Sequence, residues 1–284
     1  MPRSTAAVVA GRLAAAALLL AIPVSLAAQT PGTRQPAAGP APAPEAQSLD
    51  DTNPTQIVAL SARSEYTNLR GDVWQQAFIV RSDKLAIRPG RFKWAGKIGV
   101  ITRFDVPVVL AGVNDTTHGG LGDLYFQGLY APRLTRKFAL AVGTGFVFPT
   151  ATDRATGAGK WRIAPLAVPL FFFPQQRGYA LVKTQMHVSF AGASDRPDVR
   201  YLLVTPTALF RPVPRVWLLT ETEMKQRFVR PDTRAFKTAF EAGRMMRRGM
   251  TMAIRPEFGW GQNREVDWSL KGIVTFYGTK KQSQ

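Results

Sequence analysis

Val266-Asp-Trp-Ser-Leu-Lys-Gly-Ile-Val-Thr-Phe-Tyr277 alternates with a period of two. Its even positions are Trp268, Leu270, Gly272, Val274 and Phe276. Its odd positions are Asp267, Ser269, Lys271, Ile273, Thr275 and Tyr277. One face is apolar and the other mostly polar, the pattern of a strand lying between two different media. The same pattern returns upstream. Leu218, Met224 and Phe228 oppose Glu221, Glu223, Lys225 and Arg227, and Phe236, Thr238 and Phe240 oppose Lys237 and Glu241. Val182, Met186, Val188 and Phe190 oppose Lys183, Gln185, His187 and Ser189.

Working outward, turn signals separate these runs at Arg88-Pro-Gly90, Ala131-Pro-Arg133, Pro174–Gly178, Arg211-Pro-Val-Pro214, Arg230-Pro-Asp232 and Arg248-Gly249. The spacing predicts twelve strands, near 55–64, 74–87, 93–106, 122–131, 137–148, 161–173, 178–190, 199–211, 216–228, 235–245, 249–260 and 266–277. Ile163–Phe173 is apolar on both faces and holds Pro165 and Pro169, which a bulge or an occluded lumen wall would explain. Alternation fits a soluble sandwich with its charged face outside. It fits equally a membrane barrel with its apolar face outside.

The N-terminus separates these readings. Arg3 and Arg12 precede the apolar run Leu13–Ile22, with small residues at Ser25 and Ala27, the make-up of a secretory signal peptide over 1–27. Residues 28–52 are Pro-, Ala- and Gln-rich and read as a linker. The expected organisation is then a β-barrel over 53–278 and a short tail over 279–284. Export, an even strand count and spans of about ten or more residues favour a closed antiparallel outer-membrane β-barrel. Trp74, Trp94, Tyr130, Trp161, Phe173, Tyr179, Trp217, Trp260, Trp268 and Tyr277 lie near strand ends, as interfacial girdles would.

Composition narrows the chemistry. Cysteine is absent and the histidines are His118 and His187, which removes disulfides, thiolate nucleophiles and Cys- or His-rich metal sites. No cofactor site is expected. Thr156-Gly-Ala-Gly-Lys160 lacks the first glycine and the Ser/Thr of a phosphate loop, having Arg154 and Trp161 there, and reads as a flexible external loop. His118, in Asn114–Gly120, and Asp115 are two potential ligands in an external loop, too few for a metal site. His187 and Ser189 share a face at the spacing of outer-membrane phospholipases, an enzyme alternative that needs a third, orienting group. No residue is assigned a catalytic role.

The strongest candidate is collective. Lys97, Arg103 and Asp105 on the third strand, and Lys183 and His187 on the seventh, are expected to line a lumen. Glu221, Glu223, Lys225, Arg227, Lys237, Glu241, Arg255, Glu257, Asp267 and Lys271 continue the lining on the last four strands. Such a lining suits a passive conduit for small solutes, and equally a salt-bridge lattice that closes the barrel.

Several stretches carry a resemblance: Asn53-Pro54, Gly120-Leu-Gly-Asp-Leu-Tyr-Phe126, Phe146-Val-Phe-Pro-Thr-Ala-Thr-Asp153, Thr156-Gly-Ala-Gly-Lys-Trp161, Ala164-Pro165, Phe190-Ala-Gly192 and Asp267-Trp268. Through them the body resembles a bacterial family of outer-membrane β-barrels labelled transporter, "MetA-pathway of phenol degradation" or, by misnomer, "neuromedin U". The resemblance implies a channel-like barrel with no catalytic residues to carry over. Outer-membrane barrels commonly finish on an aromatic residue that assists the assembly machinery, whereas here Gly278–Gln284 follow Tyr277.

The net charge of +18 first suggests a polyanion partner such as nucleic acid, but an exported chain seldom meets its own genome. With both termini periplasmic, the turns and tail carry Arg88, Arg91, Lys93, Arg133, Arg136, Lys137, Arg177, Arg211, Arg215, Arg244, Arg247, Arg248, Lys280 and Lys281, with no acid among them. The charge therefore reads as a one-sided rim facing anionic lipid headgroups or periplasmic polymers.

Overall fold

A computed structural model describes residues 58–70, 73–89, 97–113, 116–132, 134–135, 137–228, 233–247 and 249–277. The expected signal peptide, linker and C-terminal tail lie outside the described residues, as do Asn53-Pro54, Trp94, Asp115, several rim arginines and the side chain of Lys97.

The described strands are β1 (Val58–Leu69), β2 (Val73–Pro89), β3 (Lys97–Val113), β4 (Thr116–Leu121), β5 (Leu124–Pro132), β6 (Phe138–Phe148), β7 (Lys160–Phe172), β8 (Gly178–Gly192), β9 (Arg200–Val213), β10 (Val216–Arg227), β11 (Arg234–Arg247), β12 (Met250–Trp260) and β13 (Val266–Tyr277). Each pairs antiparallel with its sequence neighbour, except that β4 and β5 both pair with β3. These two are one strand interrupted at Gly122-Asp123, so the wall has twelve staves. The sheet closes where β1 meets β13, from Ala59 opposite Tyr277 to Leu69 opposite Val266. Closure removes the unpaired edges that a hydrocarbon environment would not tolerate.

The two faces are inverted relative to a soluble protein. Leu60, Phe78, Val80, Phe104, Val108, Phe126, Phe210, Leu218, Phe240, Phe258 and Phe276 are exposed on the outside. Arg81, Arg103, Asp105, Lys183, Glu221, Glu241, Arg255 and Glu257 are buried inside. Only a lipid-facing exterior makes that inversion favourable, which rules out the soluble sandwich. Tyr66, Trp74 and Trp268 cluster near the loop end of the wall, with Phe236 stacked on Trp260 and Phe148 against Trp161. Phe138 and Phe171 pair at the end that carries the termini.

The β9–β10 hairpin at the terminal end is tight. Pro214-Arg215 links β9 to β10 with Arg215 at φ 68, the arrangement that type II turns require at their third position. Gly249 takes φ 83 between β11 and β12.

Three expectations change. Among the described residues the first strand continues to Leu69 rather than ending at 64, and the third extends to Val113. Gly119–Leu121, read as loop, continues the wall as β4 against Val108–Leu110. Tyr179 and Trp217, assigned to the girdles, point inward and are buried. Each has the same parity on its strand as Lys183 or Glu221, so the pleat turns it away from lipid.

Candidate solute pathway through the barrel

The inward faces stack three layers along the barrel. At the terminal end lies an apolar belt. Leu129 of β5, Leu166 and Val168 of β7, Tyr179 and Leu181 of β8, Leu209 of β9, and Trp217 and Leu219 of β10 form one buried cluster. Ile101 of β3 and Ala253 of β12 pack against it. Trp217 reaches sideways over Gly243, where an added Cβ would lie 2.0 Å from the indole. Its Nε1 donates to Glu241 at 2.8 Å. This belt explains why β7 is apolar on both faces: Pro165 and Pro169 face outward while Ala164, Leu166 and Val168 face the interior.

Above the belt is an ionic lattice. Arg255 of β12 is its hub, donating from Nε to Glu257 at 2.8 Å and from Nη2 to Glu221 at 2.5 Å, with Glu241 at 3.7 Å. Glu257 also meets Lys237 at 3.3 Å, Lys271 at 3.0 Å and the Ser269 hydroxyl at 3.0 Å. Lys271 bridges to Glu65 of β1 at 3.0 Å across the seam. Continuing around the wall on β2 and β3, Arg81 makes a two-pronged pair with Asp105 at 2.7 and 2.8 Å, and Arg103 pairs with Asp83 at 2.8 Å. Tyr125, Gln127 and Gln185 form a hydrogen-bonded chain beside them, Gln185 donating to the Tyr125 hydroxyl and Tyr125 to Gln127.

The third layer closes toward the loop end. Asp123, at the break between β4 and β5, accepts from the backbone N–H of Ala151 at 3.4 Å and of Ala158 at 2.8 Å. Thr156 donates from its hydroxyl to the Leu121 carbonyl at 2.8 Å, and Thr150 to that of Gly122 at 3.0 Å. A Cβ on Gly157 would sit 2.5 Å from Asp123, so glycine permits this close approach. The segment 149–159 is therefore a strap fastened to the inner wall, which corrects the expectation of a flexible external loop. Lys160, far from cradling phosphate, pairs with Asp198 at 3.0 Å, and that ammonium holds the Asp198 carboxyl below its usual range.

Of the sequence-derived lining residues, Arg103, Asp105, Lys183, His187, Glu221, Glu223, Lys225, Glu241, Arg255, Glu257 and Lys271 are buried inside the barrel, with Lys237 half-buried beside them. Arg227 and Asp267 instead sit at the loop-end mouth, with side chains 41% and 36% exposed, paired to Glu265 and Arg264. Their strands run out before these residues can reach the lattice. Arg63, Glu65, Arg81, Asp83, Lys160 and Arg162 were missed. Parity along 74–87 signals Arg81 and Asp83, since they alternate with Phe78 and Val80.

His187 stacks on Tyr201 inside the barrel at 4.6 Å. Ser189 is engaged elsewhere: its hydroxyl lies 3.4 Å from Asp198 and accepts from the Val199 N–H at 3.0 Å. The pair therefore faces away from lipid, with its serine occupied by a loop contact. His118 contacts Asp153 at 3.3 Å from a paired strand, not from a free loop.

Comparison with known structures places this architecture among outer-membrane barrels. An outer membrane channel from Pseudomonas putida F1 superposes with a TM-score of 0.65 at 11% identity, covering 82% of this chain and all of that one. The NanC porin gives 0.50 at 11% identity over 78% of this chain and all of its own. The KdgM porin gives 0.51 at 8% identity over 78% and 99%. At such identities the likeness is one of fold. No family model and no curated protein matches the sequence.

Proposed function

We propose that the chain is a passive outer-membrane channel for small solutes, a divergent member of the barrel family that its motifs resemble. The observation that carries this reading is the closed barrel whose exterior is apolar and whose interior holds ionisable side chains. A purely structural wall gains little from burying so many charges, because desolvation offsets much of each pair's attraction. Charged linings, by contrast, set selectivity in pores. The packed interior is its resting arrangement, with the apolar belt as the barrier that a solute must part. Hydrophobic constrictions of this kind gate by excluding water.

The arginine-rich terminal end, where Lys137, Arg177, Arg215 and Arg244 are exposed, suits the anionic headgroups of the facing leaflet. Purified protein reconstituted in planar bilayers should give discrete conductance steps, and cell fractionation should recover it with outer membranes. Folded protein that never conducts at any applied voltage would defeat the proposal, as would recovery of the mature chain from the periplasmic supernatant.

A further inference from the structure

We infer that Lys183 and Thr205 form an anion-binding site inside the barrel, suited to a small monocarboxylate with an apolar body. This names the solute class of the pathway and so rests on the channel reading above. Lys183 of β8 lies directly opposite Thr205 of β9 in the antiparallel register. Cross-strand partners on one face are close enough to act on the same group. Lys183 is 2% exposed and Thr205 1%.

Among the described residues, the Lys183 ammonium has no hydrogen bond or ion pair within bonding distance, and the Thr205 hydroxyl has no hydrogen-bond partner. An ammonium carries three donors and a hydroxyl one. Leaving the buried hydroxyl unmet is costly. Neighbouring acids do not meet them. Glu221 is held by Arg255 and accepts from Thr207 at 3.1 Å, while Glu223 leans toward Lys237 at 3.8 Å. Glu221 and Glu223 on one side, and Arg81 and Arg103 on the other, are the charged groups that act on Lys183. The two arginines have Asp105 and Asp83 as their own partners. Two donors on facing positions of neighbouring strands, with no acceptor between them, define a carboxylate's place.

The surroundings define the rest of the ligand. Leu181 lies two residues below Lys183 on its own strand and Leu203 two residues from Thr205 on β9, all on the inward face. Ala167 pairs with Thr184, which sets Val168 beside them. Leu181 and Val168 belong to the apolar belt. The site is thus a cationic corner at the edge of an apolar floor. An acid with a short hydrocarbon body meets both, whereas inorganic anions and neutral amides meet only one or neither.

The test uses the full chain folded in detergent micelles, with binding of sodium hexanoate, sodium acetate and hexanamide measured by calorimetry. Hexanoate should bind one per barrel and several-fold tighter than acetate, with no saturable binding of hexanamide. Lys183→Met should weaken hexanoate at least tenfold, Thr205→Val several-fold, and Lys183→Arg should retain it. Heat-modifiable gel migration reports folding; should Lys183→Met fail to fold, the near-isosteric Thr205→Val carries the test. Equal hexanoate affinity in folded variants and wild type, equal binding of hexanamide, or no binding by the wild type would each overturn the site. Hexanoate binding without bilayer conductance would refute the channel and leave the site standing. Conductance without hexanoate binding would do the reverse.

Discussion

Arg255 is the side chain on which the lattice depends most heavily. It is 2% exposed and has three carboxylates within 4 Å, those of Glu221, Glu241 and Glu257. Replacing it with methionine keeps the volume and removes the charge. Glu257 would still have Lys237 and Lys271, and Glu241 the Trp217 indole, but among the described residues Glu221 would keep only the Thr207 hydroxyl as a close donor. A unit pair about 4 Å apart is worth about 4 kcal/mol at an effective dielectric near 20. Removing one member of a buried pair typically costs about 3–5 kcal/mol, because the stranded charge has lost its water as well.

Arg255→Met should therefore lower the unfolding free energy by about 3–5 kcal/mol. Glu221→Gln should cost less, about 1–3 kcal/mol, since Arg255 retains two acids. The double variant removes both stranded charges and should recover at least about 1 kcal/mol relative to the sum, a coupling expected of residues in one network. Urea titration of protein refolded into phospholipid vesicles, followed by tryptophan fluorescence, measures all three. If Arg255→Met falls within about 0.5 kcal/mol of wild type, a surface-like value, or if the double variant is simply additive, the lattice is not the buried network described.

Three further outcomes follow from the layers on either side. Asp123→Ala removes the acceptor shared by the Ala151 and Ala158 N–H groups, so exchange of those amides should rise at least about tenfold, one lost hydrogen bond's worth; unchanged protection would mean that the strap is held by its threonines alone. Gly243→Val drives a side chain into the Trp217 indole, and overpacking of this kind costs about 1–3 kcal/mol; thermal melting should show the loss, and Trp217→Ala on the same background should relieve part of it. The Asp198 carboxyl is depressed below 3.8 by Lys160, so its contact should persist wherever a free aspartate is ionised. Acidification through the lowered value should release it, with faster exchange of the Val199 amide as the readout; release already near neutral pH would contradict the pairing.

Most of the wall was legible because lipid outside and polar groups inside write a period of two into each strand. It failed where both faces are apolar or where glycine erases the contrast. In β3, Pro107, Val109 and Ala111 face inward between outward Val108 and Leu110, and nothing in that run distinguishes one side from the other. Gly119-Gly120 reads as a turn because glycine suits turns, yet here it lets the wall lie close to the strap: a Cβ on Gly120 would meet the Thr152 hydroxyl at 2.2 Å. The Gly-Asp break and the Thr- and Gly-rich loop form one device, joined by Asp123 across 35 residues to Ala158. No local pattern announces that closure.

Tyr179 and Trp217 show a different limit. Chemistry and position, amphipathic rings near strand ends, argued for the lipid interface, while parity argued for the interior. Parity prevailed because a strand cannot turn one side chain to the opposite face without slipping or bulging. Weighing it first would have set Tyr179 beside Leu181, and Trp217 beside Leu219, exposing the belt in the sequence itself. Parity stops there, however. It assigns Lys183 and Thr205 to the same polar lining as Arg255 and Glu221, although the latter pair is bonded and the former is not. Which inward charges find partners depends on the stagger between strands far apart in the chain, because a side chain's neighbours across a lumen are fixed by closure, not by its own strand. The residues that a solute would use are those that closure leaves unmatched, and they become visible only when the barrel is complete.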